Sequence, residues 1–280
     1  MKVIRYEFEI EGRNGDFQLD VYGDTHLGSK SVDEKLLRKH VKETAETGRY
    51  WCHVGDVIDG IVPPDRRFDK RNLADWAWAE YQHENLIQAE WDEFYNIFNP
   101  IADKCLFVLD GDGKHNETKD VSDCMGQTLS KMNVRGGYPA CHVECVFTRK
   151  ESPHAKHLIE GVFHHGWFSG RRKGGKANNL ELALLTYPTA TFFICGHGHD
   201  KMPVRSDALV LERHQQKQWV RRAAMTGAYL QTYASDTVGY GERHGYSPAS
   251  LGRMTVVLRP FIGYEGSTFD AEKRIEFFNM

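Results

Sequence analysis

The chain has 280 residues, with 36 lysines and arginines against 39 aspartates and glutamates, a formal net charge of -3. That balance excludes a general electrostatic pull toward nucleic acid or membrane, so any anion binding has to come from local patches. Hydrophobic residues make up 40% and charged residues 27%, the composition of a globular protein with a substantial core, and no apolar run approaches the ~18 residues of a membrane span.

The opening MKVIRYEFEIEG lacks the apolar stretch of a secretory signal, so a cytoplasmic location is expected. Ile4, Tyr6, Phe8 and Ile10 alternate with polar residues up to Asn14-Gly15, which predicts a hairpin running on into FQLDVYG. Residues 32–47 have a helical pattern. DRRFDKRN at 65–72 mixes both signs of charge and reads as a self-paired surface loop rather than a lid. Residues 75–98 predict the clearest helix, with Ile87, Trp91, Phe94 and Phe98 on one core-facing side and Pro100 as the stop. KCLFVLDG, HLIEGVFHHG and TATFFICGHG read as strands, and NNLELALLTY between the last two as a helix. Strands alternating with helices imply an α/β fold, and no Pro/Gly/Ser-rich linker divides the chain, so one domain over residues 1–280 is expected. Cys52, Cys105, Cys124, Cys141, Cys145 and Cys195 are scattered and read as buried free thiols. Cys141 and Cys145 around His142 fall on a strand-like alternation rather than on a zinc-site spacing.

The chemistry sits at the strand ends. DVYGDTH carries Asp24 and His26, YWCHVGDVID carries Asp56 and Asp59, and FVLDGDGKH carries Asp110, Asp112 and His115. GVFHHG carries His164 and His165, and CGHGHD carries His197 and His199. In open α/β sheets ligands bind beyond the carboxyl ends of the strands, so these ends can converge in one cleft. Carboxylates with imidazoles suit Mn, Fe, Zn or Ni, and there are more of them than one ion needs. Two ions roughly 3.5–4 Å apart fit the count and are the usual apparatus of phosphoester hydrolysis. SGRRKGGKANN sets Arg171, Arg172, Lys173 and Lys176 among glycines ahead of a helix, a natural phosphate cradle.

The order GD-x-H, GD-x-x-D, a stretched G-x-x-x-H, a strand-end His and GH-x-H, spread over residues 23–199, resembles the calcineurin-like metallophosphoesterases. The resemblance implies a four-layer sandwich, two mixed β-sheets flanked by helices. It implies two divalent ions, manganese first, with Fe, Zn, Ni or Mg as alternatives. Asp24, His26 and His199 would hold one, His197 and the strand-end His the other, and Asp56 would bridge them. His164 is taken as that strand-end ligand and His165 as a contact to substrate phosphate. The family's usual G-N-H is replaced here by GDGKHNE. Counting from the strand makes Asp112 the ligand, with Asn116 as the alternative, and His115 the catalytic acid, oriented by a carboxylate such as Asp56 or Asp59. The stretched third motif, HHG…SGR and the tail TGAYLQTYASDTVGYGERHGYSP are similar to phage- and prophage-encoded members.

The expected function is therefore a dinuclear-metal phosphoester hydrolase, a phosphodiesterase or nuclease acting on DNA, RNA or nucleotides, with no membrane partner. A phosphomonoesterase and a non-catalytic scaffold of the same fold are the alternatives within the family. A phosphate-binding-loop protein is the rival outside it: Gly170–Lys176, GRRKGGK, fits that loop until Ala177 replaces its Ser/Thr, but that leaves Asp24, His26, Asp56, His197 and His199 unexplained. His40, His53, His83, His142, His154, His157, His214 and His244 lack motif support and read as structural.

Overall fold

The computed structural model describes residues 1–63, 65–82, 85–111, 115, 123–167, 170, 172–212, 214–235, 237–261 and 275–279. The expectations for His83, Asp112, Asn116 and Arg171 fall outside them.

The alternating start forms β1 (Lys2–Ile10) and the next apolar run β2 (Phe17–Tyr22). They do not make the expected hairpin, because they belong to different sheets. Alternation marks a half-buried face and says nothing about which edge pairs. Here the two faces meet across the interior, with the Phe8 and Phe17 rings 4.2 Å apart.

Helix α1 (Glu34–Thr47) starts where the Asp33 carboxylate accepts the Leu36 amide and ends at Gly48 in the left-handed region. Strand β3 (Tyr50–His53) follows. The single helix expected over 75–98 is two, α2 (Asp75–Tyr81) and α3 (Leu86–Phe98). Ala77 of α2 packs into a small core with Leu73 and Ala74, whereas Trp91, Phe94 and Phe98 of α3 pack on a sheet. Leu86, the first residue of α3, joins the small core beside Ala77, so the two cores meet at the start of α3. A 3-10 turn at Asn99–Lys104 carries Pro100 and leads into β4 (Cys105–Leu109). The chain continues through α4 (Cys124–Lys131), β5 (Gly136–Tyr138), β6 (Ala140–Arg149) and β7 (Ser152–His164). After α5 (Lys173–Thr186) come β8 (Phe192–Cys195), β9 (Met202–Glu212), β10 (Gln215–Met225), α6 (Tyr240–Arg243), β11 (Met254–Leu258) and β12 (Ile275–Asn279).

The strands form two six-stranded mixed sheets, ordered β1-β6-β7-β8-β10-β9 and β12-β11-β2-β3-β4-β5. Their facing sides close over one core, including Phe107, Phe147, Phe163 and Phe192. On the outer side of the first sheet Val162, Phe193 and Ala223 meet Leu180, Ala183 and Leu184 of α5. On the outer side of the second, Trp51 and Val108 meet α1 and α3. Helix, sheet, sheet, helix is the expected four-layer α/β sandwich. Truncating a fully buried inter-sheet ring such as Phe163 would cost about 3–5 kcal/mol. Among the described residues no helix is long and apolar enough to cross a membrane.

Candidate metal centre

Strands β2, β3 and β4 run parallel in one sheet, and β7, β8 and β10 run parallel in the other. Their carboxyl ends meet along one edge of the sandwich, stitched across the two sheets. His165 Nδ1 donates to the Val54 carbonyl at 3.0 Å, and Thr226 Oγ1 to the Val21 carbonyl at 3.2 Å. The His197 amide donates to both Asp24 carboxylate oxygens, at 3.0 and 2.9 Å.

The backbone here is forced. Seven described non-glycine residues have positive φ, and five of them are Asp24 (50°), His26 (43°), Asp56 (49°), His197 (66°) and His199 (50°). Each costs on the order of 1–3 kcal/mol, and such strain persists only where surrounding structure over-determines it. The glycines between them give the room: at Gly55 (φ 103°) a Cβ would sit 2.6 Å from the Asp110 carbonyl and 2.7 Å from His165 Nδ1.

The strained turns gather nitrogen and oxygen atoms into three groups, each with its ligand-type atoms within 4.8 Å of one another: Asp24, His26 and His199; Asp56, His165 and His197; and His26, Asp59 and His115. His199 Nε2 lies 3.2 Å from Asp24 and 3.3 Å from His26 Nε2. His165 Nε2 lies 3.2 Å from the Asp56 carboxylate and 3.2 Å from His197 Nδ1. Asp56 is also 3.9 Å from His26 Nε2, so it stands between the first two groups. The two histidines of GHGH go to different groups.

The histidine doublet is placed differently from expectation. His165, not His164, turns toward Asp56. Phe163 faces the inter-sheet core, and strand alternation brings His165 to that same side while His164 follows Val162 outward. His164 packs edge-on against Trp167, and its Nδ1 accepts the Gly166 amide at 2.8 Å. The basic stretch also differs. Lys173–Lys176 is the first turn of α5 rather than an open loop, which is not the geometry of a phosphate-binding loop. Lys176 Nζ donates to the Gly198 carbonyl, between His197 and His199, at 2.7 Å and lies 3.7 Å from Asp200. It braces the GHGH turn. Lys173 and Arg172 are exposed.

His115 Nδ1–H donates to the backbone carbonyl of Asp59 at 2.8 Å, so a carbonyl rather than a carboxylate orients this ring. The Asp59 carboxylate instead lies 3.7 Å from His26 Nδ1. Burial and then the neighbouring His26 hold the His115 pKa below the ordinary histidine value.

Electrostatics and donor chemistry fit divalent cations. Asp24 is fully buried; burial opposes its ionisation, but His199 holds its carboxyl below the ordinary range. Asp56, nearly as buried, is held well below it, against burial, by His165. Burial opposes a charge on His165 too, yet Asp56 and Asp24 push its pKa up to about 9. The buried carboxylates thus draw positive charge into the cluster. His26 Nδ1 is buried without a hydrogen-bond partner. Imidazole nitrogens as close as 3.2 Å to dry carboxylates, an oxygen–nitrogen donor set, suit Mn, Fe, Zn, Ni or Mg.

Two supporting residues escaped the sequence reading. His53 is fully buried; its Nδ1 accepts the Gly55 amide at 3.1 Å, and its Nε2 meets Thr25 Oγ1 at 3.1 Å, tying the Asp24 and Asp56 turns together. Its position one pleat before Gly55 was the available signal. Arg67 is the other. DRRFDKRN does self-pair, Asp65 with Arg67 and Asp69 with Arg71, but Arg67 also reaches His115.

No protein-family model matches the chain, and no curated protein matches it. Among solved structures, it is similar to a conserved uncharacterized protein, a predicted phosphoesterase, from Streptococcus pneumoniae TIGR4. That match covers 94% of this chain and 98% of the other at 10% identity, with a TM-score of 0.37. A second is GAP50, the anchor in the inner membrane complex of Plasmodium, covering 87% and 81% at 10% identity, with a TM-score of 0.38.

Proposed function

We propose that this chain is a dinuclear-metal phosphoester hydrolase. The observation that carries the reading is the pair of three-residue Asp/His groups, Asp56 belonging to one and adjoining the other, built on three turns that hold five strained residues. Asp24, His26 and His199 would hold one ion, His165 and His197 the other, with Asp56 shared. Divalent ions, when bound, supply positive charge for phosphoryl oxygens and acidify water toward neutrality. The chain's residues do the rest. Asp24 fixes the GHGH turn by accepting the His197 amide. The Asp59 carbonyl occupies His115 Nδ1, leaving Nε2 as the nitrogen that, once protonated, would pass its proton to the leaving oxygen.

The substrate we favour is a phosphodiester in nucleic acid or a nucleotide, with manganese as the metal. What supports this is the likeness of the stretched third motif and tail to phage-encoded members, and the exposed cations Arg172 and Lys173 beyond the His165 end of β7. The test is hydrolysis by manganese-reconstituted protein of nitrophenyl mono- and diesters and of single- and double-stranded DNA. Diester and DNA cleavage is expected. Turnover of monoesters alone would replace the nuclease reading with a phosphatase, and no turnover of any ester would reduce the chain to a scaffold. Replacing Arg172 and Lys173 by alanine should raise KM for an oligonucleotide and leave a nitrophenyl diester unaffected.

A further inference from the structure

From Asp59 to the first turn of α3 the chain builds a cap with a core of its own: Leu73, Ala74, Ala77 and Leu86 are buried, with Phe68 and Trp78 packed against them. It is tied to the tail, where Thr237 Oγ1 donates to Asn72 at 2.8 Å and Arg243 donates to Asp69 at 3.1 Å. From this cap Arg67 reaches the metal-centre edge. Its Nη1 lies 3.0 Å from His115 Nε2. Because His115 Nδ1 carries the hydrogen given to Asp59, Nε2 is the acceptor and the guanidinium donates. Asp65 takes the other side of the fork, from Nε at 3.2 Å and Nη2 at 2.8 Å, and fixes its plane. The His115 ring in turn stands 4.7 Å, centroid to centroid, from His26. A fixed cation therefore sits one imidazole away from a candidate metal ligand, bonded there to a neutral ring. A phosphoryl oxygen is a stronger partner, since a bond between two charged groups is about twice as strong as a neutral one.

We infer that Arg67 is a substrate-binding residue, whose guanidinium leaves His115 Nε2 to take a non-bridging oxygen of the phosphoryl group. Substrate binding then also releases Nε2, the nitrogen that would hold the transferable proton. The inference rests on the phosphoester-hydrolase reading for its substrate but is tested without turnover.

The experiment measures inorganic phosphate binding by calorimetry to manganese-loaded full-length protein, wild type, Arg67→Ala and Arg67→Lys, with metal content determined on each. Arg67→Ala should weaken phosphate about 10- to 100-fold, the loss of a charge-assisted bond, with manganese content unchanged. Arg67→Lys, a point charge without the fork, should fall between, and added guanidinium should partly restore Arg67→Ala. Unchanged phosphate affinity in Arg67→Ala overturns the inference; if that variant fails to fold, unchanged affinity in Arg67→Lys does so. Arg67-dependent phosphate binding in a protein that hydrolyses no ester would sink the hydrolase reading alone. Hydrolysis with Arg67-independent phosphate affinity and KM would sink this inference alone.

Discussion

His165 and His164 differ by one position in a strand, and that position decides everything about them. Pleating sends the first with Phe163 into the sandwich and the second out toward Trp167. His165→Ala should therefore lose about one equivalent of manganese, and His164→Ala should keep both; the reverse result would show that the doublet has been read the wrong way round. Asp56→Asn should lose both equivalents, since one carboxylate serves two cations, and full metal content in that variant would end the dinuclear assignment. The parity was legible in the run GVFHHG, where Phe163 marks the core side. A third expectation concerns acid. Burial, helped by Arg253, pulls His40 down to about 4, and burial pulls His53 down to about 3. Both lie below the ~6.5 of an unfolded chain, so as pH falls through 6.5 the unfolded state binds protons that the native state refuses. The share of stability that these two groups carry is full above about 6.5 and declines toward 4, by up to ~1.4 kcal/mol per pH unit for each group. His165, raised to about 9, has the opposite sign: its share is full well below 6.5 and is lost as pH rises from about 6.5 toward 9, so it opposes the acid decline only weakly. Urea midpoints of the metal-free protein should fall between pH 7 and pH 5, and a flat profile would mean these two histidines are hydrated.

Elements were more legible than their partners. The apolar periods mark β1, β2, β4, β7, β8 and α1, because burying one face imposes a period on the sequence whatever lies opposite it. The hairpin failed for the same reason: nothing in the period of Ile4, Phe8 and Ile10 says that β1 pairs with β6. The helix over 75–98 failed because the pattern does not show that Ala77 and Trp91 serve separate cores. The glycines in GRRKGGK argued for a loop, yet packing of Leu180, Ala183 and Leu184 carries α5 back to Lys173. That placement divides the two lysines. Lys176→Gln should loosen manganese by unbracing the GHGH turn, whereas Lys173→Gln should leave metal affinity unchanged, and equal effects would refute the division. Glycine matters most where the loop ends of β8 and β2 touch: a Cβ on Gly196 would overlap the Asp24 carboxylate. Gly196→Ala should fold, by circular dichroism, but bind manganese weakly; wild-type affinity would mean that this close approach is not what positions Asp24.

At the scale of the molecule, two sheets present their carboxyl ends to one edge, so residues as far apart as Asp24 and His199 meet only because the sandwich closes. The five motifs at the strand ends made that convergence readable, since polar residues directly after apolar strands have few other uses. Arg67 stayed hidden because its partner His115 lies 48 positions away and no period links them. The most direct measurement is the anomalous scattering of manganese in crystals of the reconstituted protein. Two peaks about 3.5–4 Å apart are predicted, one bound by Asp24, His26 and His199, the other by His165 and His197, with Asp56 touching both. A single peak, or a second ion bound by His164 and not His165, would contradict the account.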